Sequence, residues 1–168
     1  MKNTIVLIDG FNLYYGLLRG TPWKWLDLIA FSQALLGNDH HILAVKYFTS
    51  PVKTHPHDLA AIDRQKTYLH ALAEMGQVRT TLGFYSKRNA MMPATERACQ
   101  SCATADKGLV RVIKLVFNPH PGLSQHLKRA ASYYKNIPRD LPARCQLPEA
   151  IPVGTHGNVI RCPEAWKL

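Results

Sequence analysis

The stretch TIVLID at residues 4–9 runs directly into Gly10 and then into FNLYYGLL, so a carboxylate stands where an apolar run meets a turn. If the run is a strand of an open parallel sheet, Asp9 lies at the carboxyl rim, where such sheets bind ligands. A carboxylate there can take a hard divalent cation, which prefers oxygen ligands and keeps several waters. That cation would activate water and neutralise charge developing on a phosphate. The same Asp-Gly pair also suits a strand-to-helix turn in which Asp9 caps the helix. Both readings stand at this point, because a metal site normally draws two or more converging acids. A second group with chemical character is Cys99 and Cys102, a C-x-x-C pair; Cys145 and Cys162 are single. Zinc sites show two such pairs, or one pair followed by spaced histidines. Half a site is visible here, so two reduced thiols on a hairpin is the preferred reading over zinc at Cys99 and Cys102.

The elements that must position Asp9 follow from hydrophobic period. TIVLID, rich in β-branched residues, reads as a buried parallel strand. FNLYYGLL has helical spacing, and a second helix is expected over WKWLDLIAFSQALLG, stopping at Gly37. HILAVKYFTS at 41–50 is a second strand. Residues 57–76 form the clearest helix, with Asp58 available as its cap and Gly76 as its stop. QVRTTLGFYSKR at 77–88 is a third strand. This alternation implies a parallel sheet covered by helices. Residues 89–108 show no period and read as a connection. A fourth strand is expected over 109–120 and an amphipathic helix over 122–137. The proline- and glycine-rich remainder reads as an extended tail, giving a domain at 1–137 and a tail at 138–168 packed on it.

At 168 residues and 46% hydrophobic content, the chain can bury the core of one domain. No run approaches the ~20 apolar residues of a membrane span. The N-terminus lacks a cleavage pattern, so the cytoplasm is the expected address and no membrane partner is expected. Lys and Arg number 21 against 11 acids, a net charge of +10. A body this basic favours polyanionic partners through counterion release, and nucleic acid is the commonest of them. The cations recur in small groups such as YSKR and HLKR, which suits a charged face on a folded body.

Several of these segments carry a resemblance. VLIDGFNLYY, KYFTSPV, RQKTYLHAL, GFYSKR and DKG occur in the order found in the NYN family of PIN-like nucleases, over roughly residues 4–108. The likeness continues through VIKLVFNPH and HLKRAASYYKNI to CPEAW. It implies an α/β fold with a PIN-like, Rossmannoid parallel sheet and helices on both faces. It also implies hydrolysis of RNA phosphodiester bonds with Mg²⁺ or Mn²⁺ in an acidic pocket. Asp9 matches the first-strand metal ligand, and Asn12 matches the polar residue that shapes the same pocket. Arg64 and Gln65 match the helix motif, and Asp106, Lys107 and Gly108 match an acid-Lys-Gly turn. The resemblance therefore implies Asp9, Asn12 and Asp106 as the catalytic set, with Asp9 and Asp106 on the metal. Lys87, Arg88, Lys107 and Arg64 are the expected phosphate contacts.

The chain departs from that pattern after DKG. The family continues with another helical Asp and a strand ending in an acidic cluster, whereas here DKG runs straight into LVRVIKLVF. After residue 107 the only acids are Asp140, Glu149 and Glu164, all in the tail. A sheet shortened to about four strands is expected, with LVRVIKLVF moving beside TIVLID. Surface uncovered by the missing elements would be covered by the tail or by a second copy in a homodimer. Two functional readings follow: a metal-dependent ribonuclease, or a catalytically inactive remnant that binds RNA or a partner protein.

Overall fold

The computed structural model describes residues 1–53, 56, 58–83, 115–118, 129, 131–154 and 157–167. Its centre is a parallel three-stranded sheet: β1 (Lys2–Asp9), β2 (His40–Thr49) and β3 (Val78–Leu82), in the order β1-β2-β3. β1 pairs with β2 from Lys2 opposite His40 to Asp9 opposite Phe48, with a register shift after Thr4. The chain is thus mixed α/β with a parallel sheet and helices.

Helix α1 (Gly10–Leu13) leaves β1 at once and widens into a π turn over Tyr14–Leu18, closed by Arg19 N donating to Tyr14 O at 2.7 Å. Helix α2 (Leu28–Leu36) precedes β2, and α3 (Ala61–Glu74) joins β2 to β3. Leu13, Leu17, Leu28, Phe31 and Leu72 from these helices bury against Ile42, Val45 and Val78 of the sheet. Alternation along a strand sends successive side chains to opposite faces, so Val6 and Ile8 turn towards this core. Ile5 and Leu7 turn away and remain 54% and 67% exposed. β1 is therefore half-buried, in place of the doubly buried strand its apolar run implied.

Further expectations are corrected. The helix expected from Trp23 begins at Leu28, because Asp27 is its cap: Oδ1 accepts from Ile29 N at 2.8 Å and from Ala30 N at 3.0 Å. Asp58 does not cap α3, whose first turn has no side-chain cap; its carboxylate is taken by Arg64. Among the described residues, the fourth strand does not pair with β1. β4 (Leu115–Asn118) pairs in parallel with β5 (Tyr133–Asn136) as a separate two-stranded sheet. Residues 133–136 thus form strand where the sequence period predicts the end of a helix; tyrosine favours strand geometry once a partner strand is present.

The C-terminal stretch is more than an extended strap. It forms a turn of 3₁₀ helix (Leu141–Arg144), an antiparallel hairpin of β6 (Ala150–Val153) and β7 (Asn158–Arg161), and a last 3₁₀ turn (Glu164–Trp166). Leu141, Leu147, Ile151 and Ile160 belong to the same buried cluster as Trp25, Leu26 and Tyr68. Residues 23–27 are held against it by Leu147 N donating to Trp25 O at 2.9 Å and Asp27 N donating to Cys145 O at 2.8 Å. Trp25 Nε1 donates to Pro148 O at 2.8 Å.

Candidate functional site

Asp9 is the last residue of β1, and its exposed side chain lies on the Ile5 and Leu7 face of the sheet. Both carboxylate oxygens meet Asn12, Oδ1 accepting from the backbone N at 3.0 Å and Oδ2 from Nδ2 at 2.7 Å. The first bond is a helix cap. The second fixes the Asn12 amide beside the acid. The structure thus brings together two of the residues singled out from the sequence, at the carboxyl rim of the parallel sheet. Asp106, Lys87, Arg88 and Lys107 lie outside the described residues, as do Cys99 and Cys102. Among the described residues, no group of three His, Cys, Asp or Glu side chains converges as a metal site.

The donor set at Asp9 suits a hard cation only loosely. One carboxylate is present, with the Asn12 amide as a second oxygen source if it turns. Mg²⁺ is commonly held by one or two carboxylates plus waters and substrate phosphate, so a fit needs most of the shell from solvent and ligand. Cys145 and Cys162 are buried free thiols. Burial first, and nearby carboxylates after it, push both thiols up, which keeps them protonated and unreactive.

Arg64 stands elsewhere, in the wall of a cavity of about 440 Å³ on the helix-covered side of the same rim. Tyr14 and Tyr15 of the π turn, Tyr47 of β2, Tyr68 of α3 and Trp166 of the last turn line it. Asp9 is not among its walls, although Gly10 is. The ring of Tyr47 passes directly under Gly10, where a Cβ would meet its Cζ and hydroxyl oxygen at 2.6 Å. Burial raises the Tyr47 hydroxyl to about 12, against a lowering hydrogen bond with Thr49, and the charge of Asp9 adds to the rise. Gln65 holds the β2–α3 connection at the cavity edge: Oε1 accepts from Val52 N and Nε2 donates to Ser50 O, both at 2.9 Å.

Arg64 pairs with Asp58, and Lys24 brings a second cation to the same space. Lys24 Nζ donates to Thr21 O, and its pKa is lowered by burial and then by the charge of Arg64. Sequence spacing does not reveal this cavity: Tyr14 and Tyr15 could stack on bases, but at helical spacing they read first as packing residues. Its signal is dispersed over separate stretches of the chain from Gly10 to Trp166.

Comparison with known proteins gives a partial likeness. Over 101 residues the chain is 33% identical to the 6-hydroxy-3-succinoylpyridine 3-monooxygenase HspA of Pseudomonas putida, covering 49% of this chain and 32% of that protein. The chain thus spans about a third of the length of the curated relative it matches. No protein-family model and no solved structure matches the chain. Among the described residues, no helix is long and apolar enough to cross a membrane.

Proposed function

We propose that this chain is a NYN-type, PIN-like domain that acts on RNA phosphodiester bonds, with Asp9 as its principal ligand for Mg²⁺ or Mn²⁺. The observation that carries the reading is the exposed Asp9 carboxylate at the carboxyl rim of a parallel sheet, braced by Asn12. When bound, the cation supplies charge neutralisation on the phosphate and an activated water. The chain's own part is to hold Asp9 at the end of β1 through the α1 cap and to keep the Asn12 amide beside it. A net charge of +10 favours RNA, whose backbone the cations of the body would draw in. RNA cleavage with added Mn²⁺, compared between wild type and Asp9→Asn, tests this. The variant keeps a cap and loses the charge, so its cleavage falls by roughly a hundredfold or more; equal rates overturn the reading.

A second reading is favoured by one observation. Both Asp9 oxygens are already engaged by Asn12, as a cap alone would have them. On this reading the chain binds RNA without cutting it. Salt-sensitive RNA binding, unchanged by a chelator and free of product on long incubation, is its signature. The monooxygenase activity in the relative's name concerns a protein of which this chain spans 32%, and it is not carried over.

A further inference from the structure

The cavity beside α3 has features that the Asp9 reading leaves unused. At about 440 Å³ it falls in the size range of small-molecule sites, roughly 300–1,000 Å³. Its walls are flat and aromatic. Tyr14 and Tyr15 stand edge to face with centroids 5.2 Å apart, and Tyr68 meets Trp166 at 6.1 Å across 78°. Tyr68 is fixed from behind, its hydroxyl donating to Leu26 O at 2.8 Å. Such surfaces suit the face of a planar ring.

The charge in the cavity is unbalanced. Lys24 and Arg64 both line it, and Asp58, the one acid lining it among the described residues, is committed to Arg64. Among the described residues Lys24 has no carboxylate partner, only the Thr21 carbonyl. Two cations held near each other in partly buried space favour an anion between them, with charge-assisted hydrogen bonds from both. The last turn of the chain supplies Trp166 and Ala165 to the wall, and Lys167 anchors that turn through Glu149 at 2.9 Å and through Glu164. The cavity is therefore built by the C-terminal segment together with α1 and α3.

We infer that this cavity binds a small planar aromatic molecule bearing one anionic group, with the ring against Tyr14, Tyr15 and Trp166 and the anion at Lys24 and Arg64. The site is separate from Asp9, whose side chain lies on the other face of the sheet. The shared chemistry, a ring plus a carboxylate or phosphate, has two sources: a free aromatic acid or a mononucleotide.

Isothermal titration of the full chain tests the inference with 4-hydroxybenzoate and uridine 5′-monophosphate, each beside its uncharged analogue, 4-hydroxybenzamide and uridine. Saturable binding of either anion is expected, with the uncharged analogue weaker by about tenfold or more. Binding of the carboxylate alone identifies an aromatic acid as the source, and binding of the nucleotide alone identifies a mononucleotide. Lys24→Met keeps the stem and removes the charge, and it weakens binding about tenfold. Tyr15→Ala, at a position 54% exposed, also weakens binding and serves if Lys24→Met fails to fold. Asp9→Asn binds like wild type. The inference is overturned if neither anion saturates at concentrations on the order of a few millimolar. It is equally overturned if the uncharged analogues bind as well, if the Lys24 and Tyr15 variants bind normally, or if Asp9→Asn abolishes binding. Failure here leaves the RNA reading standing, because that rests on Mn²⁺-dependent cleavage at Asp9.

Discussion

Leu147 offers a quantitative test of how the C-terminal segment is used. Its side chain is 4% exposed and belongs to the cluster containing Trp25 and Leu26, and its backbone N donates to Trp25 O at 2.9 Å. Leu147→Ala removes the buried isobutyl group and leaves the backbone bond in place. Substitutions of this kind cost about 2–5 kcal/mol, the transfer term plus the cavity left behind. In a chain of this length each kcal/mol lowers the melting temperature by about 2–4 °C, so a loss near 3 kcal/mol lowers it by about 6–12 °C. The internal control is Val159→Ala on β7, which lies in the same segment but is 45% exposed. It is expected within about 0.5 kcal/mol of wild type. Thermal unfolding followed by circular dichroism and by tryptophan fluorescence measures both, since Trp25 and Trp166 report the affected region. A Leu147→Ala melt within about 2 °C of wild type would refute the reasoning, for the segment would then rest on the body without sharing its core.

Gly10→Ala puts a methyl group 2.6 Å from the Tyr47 ring, and overpacking of this kind costs about 1–3 kcal/mol, read as a lowered urea midpoint. Ser50 is buried and its Oγ has no partner among the described residues, so Ser50→Ala is expected to leave stability unchanged or raise it by about 1 kcal/mol in the same assay. Tyr47 and Tyr68 are both raised by burial, Tyr47 to about 12, which favours the protonated hydroxyl in the folded chain. The stability they contribute is present in full below the ordinary tyrosine value of about 10 and is lost as pH rises through the folded values. Ultraviolet titration should therefore show Tyr47 and Tyr68 ionising only as the fold is lost, with Tyr47→Phe removing one of these two late-ionising groups.

The parallel core is legible because its signals are local. TIVLID, the apolar strand around Val45 and the periodic helix before Gly76 each announce their type within a short stretch of sequence. Helix ends are less legible, because capping depends on a single bond. Asp27 caps α2 where the pattern alone begins the helix earlier, and Asp58 turns to Arg64 instead of the backbone. β5 is hidden because strand formation at Tyr133–Asn136 depends on pairing with β4. For the site, Asp9 can be found because one residue at a strand end carries the signal. Its bond to the Asn12 amide needs three-dimensional placement. The aromatic cavity cannot be found at all from spacing, since its walls come together only when the C-terminal turn meets α1 and α3.

The central claim, that Asp9 holds a divalent cation at the sheet rim, is tested most directly by Mn²⁺ binding to the purified chain, followed by electron paramagnetic resonance. Wild type is expected to bind one ion and Asp9→Asn to lose it while retaining its fold. Equal binding by the two proteins, or no bound Mn²⁺ in wild type even with RNA present, would contradict the account and leave Asp9 as a helix cap.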